Sequence, residues 1–290
     1  MAEQLFLLLF NGLAYGILLF LMAIGLSVTM GMMNFVNLAH GAFAMLGGYL
    51  AITLVQQAGV PFLLALPIVF VVVGAASAVF EAGLYRRFYR STQLNQVLLT
   101  IGLALMAIAG ATYLWGPQLL ILKVPDYLSG QTRLFGIQVG TYRLFLIVTG
   151  AIIAGALVFG LERTRFGALV RATVDNRRMA QSLGINVNRV FRLTFALGSG
   201  LAGLGGALAV NFVGGLLPSF ALGYLLVYFL IVVTVGGLGS TLGALAAAIL
   251  LGIADAAAKF YAPQIASFAI YFVMVVLLVW RPQGLLGRRS

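Results

Sequence analysis

Very long apolar runs alternate with short polar connections along the chain. No Asp, Glu, Lys or Arg occurs from Gln4 to Phe80, and none occurs from Leu193 to Ala254. The runs are apolar on every helical face, whereas membrane barrel strands alternate polar and apolar positions. Because backbone groups in lipid must be satisfied internally and a helical span needs about 20 apolar residues, the pattern predicts an all-α, polytopic membrane protein.

The runs predict eight to nine transmembrane helices within a single transmembrane domain, residues 1–290. The predicted spans are 5–27, 33–55, 61–85, 94–115, 143–161, 191–213, 220–237, 241–258 and 263–280. The connections at 28–32 and 238–240 carry no charge, so either is also compatible with a re-entrant turn. The main outer loop is 116–142, and its LFGIQVGTY stretch predicts a short hairpin.

A weak internal sequence similarity relates the two ends of the chain. TMG at 29–31 precedes GA at 41–42, and TVG at 234–236 precedes GA at 243–244. Transporters often contain internal repeats with the substrate route at their interface. Helices rich in glycine and alanine also resemble one another by chance, so an internal repeat is one of two interpretations.

Composition and charge agree with a membrane protein. The chain is 62% hydrophobic and 8% charged, whereas soluble domains contain about 25% charged residues. A net charge of +11 would suggest nucleic acid for a soluble protein, but cytoplasmic loops of membrane proteins collect Lys and Arg. We therefore expect no nucleic-acid partner and place the basic clusters at 86–90, 162–192 and 281–289 in the cytoplasm. Nine spans then put the N-terminus outside and the C-terminus in the cytoplasm.

The 162–192 segment contains seven of the seventeen basic residues and is predicted to be a cytoplasmic coupling loop. Residues 168–183 have helix-forming composition, and Gly184 is predicted to end the helix, since glycine is enriched just past helix ends. A helix across the cytoplasmic face, with Arg171, Arg177 and Arg178 projecting, suits docking to another protein. Attraction to anionic membrane lipid is the alternative, at about 1 kcal/mol per basic residue near the surface.

Polar residues at three-residue spacing open the second predicted span. Asn34, Asn37 and His40, followed by Gly41, would form a stripe on a helix. Polar groups inside membranes usually face the protein interior or an aqueous cavity, so one interpretation is a substrate pathway or gate. The other is a hydrogen-bonded cap at the start of the span. His40 is the only histidine and no carboxylate lies nearby in sequence, so we expect neither a metal site nor a catalytic site.

Other mechanisms have little support in the sequence. An ion- or proton-coupled carrier predicts acids on several spans, but Asp255 has no second acid in register, and Lys259 is placed to form a local ion pair with it. A membrane-embedded enzyme predicts clustered His, Asp, Glu or Ser near one face, and no such cluster is visible. The chain contains neither a GxxxxGK[ST] nor an HExxH motif, so any ATP hydrolysis is expected on another chain.

Four segments in order, spread over almost the whole chain, carry a family resemblance. They are MGMMNFVNLAHGAFAMLGGYL at 30–50, RATVDNRRMAQSLGINVNRVFRLTFALGSGLAGLGGAL at 171–208, VTVGGLGSTLGALAAAILLGIADA at 233–256 and WRPQGLLGR at 280–288. As a set they resemble the LivH-type permeases of branched-chain amino acid ABC transporters. The permeases of urea and short-chain amide importers are closely similar, and TFALGSGLAG and GIADAAAKF resemble that branch.

The resemblance implies a permease subunit, not an enzyme and without a cofactor, that translocates Leu, Ile and Val across the bacterial inner membrane. A second homologous permease, two ABC ATPase subunits and a periplasmic substrate-binding protein would complete the importer, surrounded by membrane lipid. Arg178, Met179, Ala180 and Gly184 occupy the place of the EAA-x3-Gly coupling motif, with Arg and Met replacing Glu and Ala. With Arg171, they are the expected ATPase contacts. Urea or a short-chain amide is the alternative substrate.

Overall fold

Helices make up most of the structure, a computed structural model that describes residues 2–33, 35–89 and 91–286. Within these ranges, eight helical segments are long and apolar enough to cross a membrane. Large apolar side chains on the outer helices are exposed, including Met106, Ile152 and Phe272, and in a membrane these side chains contact lipid. The predicted all-α membrane architecture is confirmed.

The first part of the chain forms five helices. They are α1 (Ala2–Met33), α2 (His40–Ile52), α3 (Phe62–Phe80), α4 (Arg86–Phe88) and α5 (Gln93–Trp115). One π-helical turn extends α2 (Thr53–Gln57) and another connects α3 to α4 (Glu81–Tyr85). With its extension, α2 is about 27 Å long at 1.5 Å per residue, close to the thickness of a bilayer core.

The second part of the chain contains a hairpin and eight helices. They are α6 (Asp126–Ser129), β1 (Gln131–Leu134), β2 (Ile137–Gly140), α7 (Thr141–Arg163), α8 (Arg165–Asp175), α9 (Arg177–Ser182), α10 (Val187–Val213), α11 (Tyr224–Gly236), α12 (Thr241–Tyr261) and α13 (Ala266–Trp280). Short 3-10 turns precede α11 (Pro218–Ala221) and α13 (Pro263–Ile265).

Helices α1 and α10 form the centre of the bundle, and glycine sets how closely their neighbours approach. A β-carbon on Gly16 would lie 2.7 Å from the backbone of Ile249 on α12, and one on Gly47 of α2 would lie 2.1 Å from the carbonyl oxygen of Gly203 on α10. Small residues allow membrane helices to pack backbone to backbone. The central helices are therefore held by close van der Waals contact.

One end of the bundle, here called the basic end, brings together the described parts of the three basic clusters, residues 86–89, 162–192 and 281–286. Glu81, just before Arg86 and Arg87, pairs with Arg192 at 3.4 Å. The C-terminal segment joins the end of α11, where the Leu285 N–H donates to the carbonyl of Val235 at 2.7 Å. A cavity of about 350 Å³ at this end is lined by residues of 161–174, 238–242 and Leu286.

The opposite end, here called the hairpin end, carries the predicted hairpin. Strands β1 and β2 are antiparallel, with Leu134 paired to Ile137. The two turn residues, Phe135 and Gly136, both have positive φ, as the favoured two-residue hairpin turns require. The hairpin predicted within the 116–142 loop is confirmed.

Candidate functional site

The polar stripe predicted at the start of the second span has a different shape in the structure. Helix α1 continues through the predicted 28–32 connection to Met33, and residues 35–39 form a non-helical link before α2. Asn37 therefore lies in this link and His40 begins α2, so the two do not share a helical face. Asn34 lies outside the described residues.

Helix α5 satisfies the backbone of the 35–39 link. The Val36 N–H donates to the side-chain oxygen of Gln96 at 3.2 Å, and the Leu38 N–H donates to the hydroxyl of Thr100 at 3.2 Å. Gln96 and Thr100 are both buried. Sequence analysis missed these two residues, although their i, i+4 spacing at the start of an apolar span was a usable signal.

Asn37 is fully buried within an aromatic cluster. The hydroxyl of Tyr85 donates to its Oδ1 at 3.4 Å, while its Nδ2 has no hydrogen-bond partner among the described residues. The Tyr85 ring packs 5.4 Å from Phe35 and 4.9 Å from Phe195 of α10. Asn37 is thus a buried amide with spare donors, bonded to the π-helical turn that follows α3.

His40 joins α2 to α1 and does not cap its own helix. Its Nε2 lies 2.9 Å from the carbonyl oxygen of Met22, and its Nδ1 has no partner among the described residues. The ring lies next to the close contact between Gly25 of α1 and Gly198 of α10 and edge-on to Phe229 of α11. His40 thus lies where four helices meet.

Further buried hydroxyl groups occur on two of the helices that meet at His40. Ser27 belongs to α1, and Thr194 and Ser199 belong to α10. All three hydroxyl oxygens lack a hydrogen-bond partner among the described residues. Burying an unpaired polar group is costly, and polar groups at membrane depth commonly face a route for solutes. Asn37 and His40 have no exposed surface, so neither side chain contacts solvent in this structure.

Gly41 has a packing role next to this junction. A β-carbon at Gly41 would lie 2.0 Å from the carbonyl oxygen of Ala221, in the 3-10 turn before α11. Any larger residue would displace that turn. Gly41 therefore fixes the approach of α2 to the turn and does not line an open route.

The 162–192 segment, which sequence analysis predicted to be a coupling loop and which is here called the coupling segment, forms two short helices, α8 and α9, where one helix was predicted across 168–183. Asn176 has extended backbone angles, φ −151 and ψ 94, and its side chain accepts a hydrogen bond from the Met179 N–H. An N-cap of this kind begins a new helix, so the chain breaks between α8 and α9. The predicted stop is present at Gly184, whose φ is +80.

The predicted contact residues of this segment differ in exposure. Arg178 and Met179 are exposed, but Ala180 is buried, 2% exposed, and packs in the core. Arg171 does not project freely, because its guanidinium donates to the carbonyl of Leu161 at the end of α7. The outward face of α9 therefore consists of Arg178, Met179 and the residues that lead to Gly184.

A buried carboxylate connects the coupling segment to the bundle. Glu81 accepts a hydrogen bond from the Tyr89 hydroxyl at 2.8 Å and pairs with Arg192 at the start of α10 at 3.4 Å. Burial and the adjacent Glu81 charge raise the pKa of Tyr89, so its hydroxyl remains a donor. The Arg177 guanidinium of α9 lies 5.4 Å from the centre of the Phe191 ring. Sequence analysis missed Glu81, Tyr89 and Arg192.

The predicted ion pair on α12 is present at the hairpin end. The Nζ of Lys259 lies 2.6 Å from the carboxylate of Asp255. This contact confirms the local pair, and it provides no second acid for a proton relay.

Comparison with known proteins gives consistent matches along the whole chain. The sequence profile of a family described as "Branched-chain amino acid transport system / permease component" matches residues 8–279. The high-affinity branched-chain amino acid transport system permease protein BraD of Pseudomonas aeruginosa is 26% identical, over 97% of this chain and 95% of BraD. LivH of Escherichia coli K12, which has the same description, is 28% identical over 97% of this chain and 94% of LivH.

The chain is also similar to a second type of permease protein. LivM of Escherichia coli K12 is 25% identical over 92% of this chain and 67% of LivM, so LivH and LivM of one organism both match. No solved structure matches the chain. The profile match and the eight helices able to span a membrane describe a multi-pass transport component and not an enzyme. The chain belongs to the family of permease components of branched-chain amino acid transport systems.

Proposed function

We propose that this chain is the permease subunit of an ATP-driven importer that carries branched-chain amino acids across the bacterial inner membrane. The family match over residues 8–279 is the observation that carries the proposal. Two ABC ATPase subunits, a second homologous permease and a periplasmic binding protein complete the importer. The paired similarity to LivH and LivM supports a heteromeric permease pair.

The basic end faces the cytoplasm in this proposal. It gathers the arginines of 86–87, 162–192 and 281, and cytoplasmic surfaces of membrane proteins are enriched in such residues. The C-terminus then lies in the cytoplasm, and the hairpin end faces the periplasm, where a binding protein delivers substrate.

The coupling segment receives the motion of the ATPase. The exposed Arg178, Met179 and Leu183 offer charged and apolar contacts, while the buried Ala180 fixes α9 to the bundle. Because Arg177 of α9 packs on Phe191 of α10, a movement of α9 displaces the start of α10. Arg192 on the same helix then shifts relative to Glu81.

The junction around His40 is the gate in this mechanism. Phe35 packs on both Tyr85 and Tyr89, so a shift of the Glu81 network moves the 35–39 link and Asn37. The unpaired nitrogens of Asn37 and His40 then become available to a solute or to water when the helices separate.

Uptake in cells tests this proposal. Deletion of the gene for this chain should abolish ATP-dependent, high-affinity uptake of radiolabelled leucine, and expression of the intact chain should restore it. Uptake of urea and acetamide is measured in the same cells. Loss of amide uptake with unchanged leucine uptake would assign the chain to the alternative substrate class.

A further inference from the structure

Charged groups of both signs surround a cavity at the hairpin end. Asp255 is only 5% exposed, whereas the side chain of Lys259, its partner, is 64% exposed. Both residues line a cavity of about 860 Å³ between α1, α10, α11, α12 and α13. A buried carboxylate thus holds an ammonium group at the edge of a space large enough for a small ligand.

Aromatic rings form the walls of this cavity. Tyr15 and Phe212 stack with their centroids 5.6 Å apart, and the Nζ of Lys259 lies 5.3 Å from the centre of the Tyr15 ring. Tyr228 and Tyr271 form the other wall, 6.0 Å apart. The walls offer an aliphatic group a large apolar surface, next to the charged pair.

Arg143 adds a second cation at the same place. Its guanidinium lies 5.7 Å from the centre of the Phe212 ring and donates to Asn11. It lines a neighbouring cavity of about 540 Å³ that is also lined by Asp255 and Lys259. Because guanidinium has five N–H donors, Arg143 keeps donors for an incoming carboxylate.

We propose that these two adjoining cavities, which share Asp255, Lys259 and the Tyr15–Phe212 wall, form one site at the hairpin end that binds a zwitterionic α-amino acid with an aliphatic side chain. Arg143 and Lys259 bind its carboxylate, Asp255 binds its ammonium group, and the Tyr15–Phe212 wall packs on its side chain. The inference rests on the proposed function and names a receiving site for that substrate, separate from the His40 junction. Urea and acetamide are uncharged, so they match neither the cations nor the carboxylate.

Thiol protection tests occupancy directly, because the chain contains no cysteine. Ser267 lines the larger of the two cavities, and Gln118 is an exposed residue of the outer loop, so Ser267→Cys is the probe and Gln118→Cys its control. Each variant is assembled into the complete importer and treated with a maleimide, without binding protein. Leucine should slow labelling of this chain in the Ser267→Cys complex only, and acetamide should not.

Charge variants in the Ser267→Cys background test the assigned contacts. Asp255→Asn, Lys259→Met and Arg143→Gln should each raise the half-protecting leucine concentration about tenfold or more, as expected when a hydrogen bond to a charged group is lost. Lys123→Met and Arg133→Gln remove exposed charges at the same end, outside both cavities, and should leave the half-protecting leucine concentration unchanged. Copurification of the other subunits checks assembly of each variant.

The outcomes separate this inference from the proposed function. Leucine transport without protection of the introduced thiol overturns the inference and leaves the proposed function intact. If the charge variants keep normal leucine protection but the binding protein stimulates their ATPase activity less, the charges act in docking of the binding protein. That result also overturns the inference. Acetamide transport without leucine transport overturns the proposed function, and protection by acetamide in all charge variants overturns both.

Discussion

Asn37 and His40 are the two members of the predicted stripe within the described residues, and both are fully buried around the start of α2. Replacing either with leucine removes one hydrogen bond, and a bond of this kind contributes only about 0.6 kcal/mol in a membrane protein. We therefore expect Asn37→Leu and His40→Leu to assemble normally and to reduce leucine uptake at least several-fold. Uptake and the yield of purified complex are measured together.

Ser77→Ala is the matched control for these variants. The Ser77 hydroxyl is also buried, but it donates to the carbonyl of Gly74 in its own helix at 2.8 Å. This control should retain uptake. Normal uptake in both leucine variants would remove the junction from the mechanism, and loss of assembly would assign it a structural role only.

The Glu81 pair gives a prediction about coupling. Arg192→Met leaves Glu81 buried without its partner, and this should destabilise the complex by about 1–2 kcal/mol, less than for a fully buried pair because the Arg192 side chain is 43% exposed. Glu81→Gln keeps the size and shape of the buried side chain, so it should destabilise the complex less than Arg192→Met does. Both should lower ATPase stimulation by the loaded binding protein.

A double variant tests whether the two side chains act together. Glu81→Gln combined with Arg192→Met removes both charges, so the thermal stability of the complex should recover relative to Arg192→Met alone. Additive losses of stability would contradict the pairing.

At the scale of the elements, the packing of α9 can be tested by adding the same charge at a buried and at an exposed position of this helix. Ala180→Glu places a carboxylate in a buried position, which costs several kcal/mol unless α9 moves away from the bundle. Ser182→Glu adds the same charge at an exposed position of α9. We expect Ala180→Glu to abolish stimulated ATPase activity while the chain remains inserted, and Ser182→Glu to have a smaller effect. Equal effects would contradict the packing of α9.

Gly184 ends α9 with a conformation that proline cannot adopt. Its φ of +80 lies far from the value near −65° that proline requires, so Gly184→Pro should abolish transport. Gly184→Ala should weaken it, because left-handed geometry costs other residues about 1–2 kcal/mol. Gly155→Ala, in an open position on α7, is the control and should have normal uptake.

Sequence patterns predicted locally determined features better than the positions where helices end or break. The hairpin, the stop at Gly184 and the Asp255–Lys259 pair depend on local turn chemistry or i, i+4 spacing, and all three are present. The end of α1 was placed too early because Thr29 and Gly31 are typical of a connection, whereas the Thr29 hydroxyl donates to the Leu26 carbonyl and the helix continues to Met33. The break at Asn176 was missed because helix-forming composition continues through it.

The missed parts of the site depend on distant contacts. Glu81 and Arg192 meet only after α3 and α10 pack together, and Gln96 accepts a hydrogen bond from Val36, which lies 60 residues earlier in the chain. The burial of Ala180 depends on how α9 lies on the bundle. No periodicity within the sequence specifies these contacts, so the sequence predicted the membrane architecture and the hairpin but not the network that joins the 162–192 segment to the bundle.

At the scale of the whole molecule, the membrane orientation is directly testable. Ala172 and Ser182 are exposed on the basic end, and a single cysteine at either position has no native thiol to compete with it. Membrane-impermeant maleimide should label both variants in inverted membrane vesicles and neither in intact spheroplasts. Labelling from the periplasmic side would contradict the cytoplasmic placement of the basic end.

The central claim is that this chain forms the membrane route of an ATP-driven importer for branched-chain amino acids. The most direct measurement is leucine uptake by proteoliposomes that contain this chain with its partner permease and ATPase subunits, supplied with leucine-loaded binding protein. The account predicts uptake that requires ATP and every one of these subunits, and that disappears when this chain is omitted. Uptake that continues without this chain, or that proceeds without ATP, would contradict it.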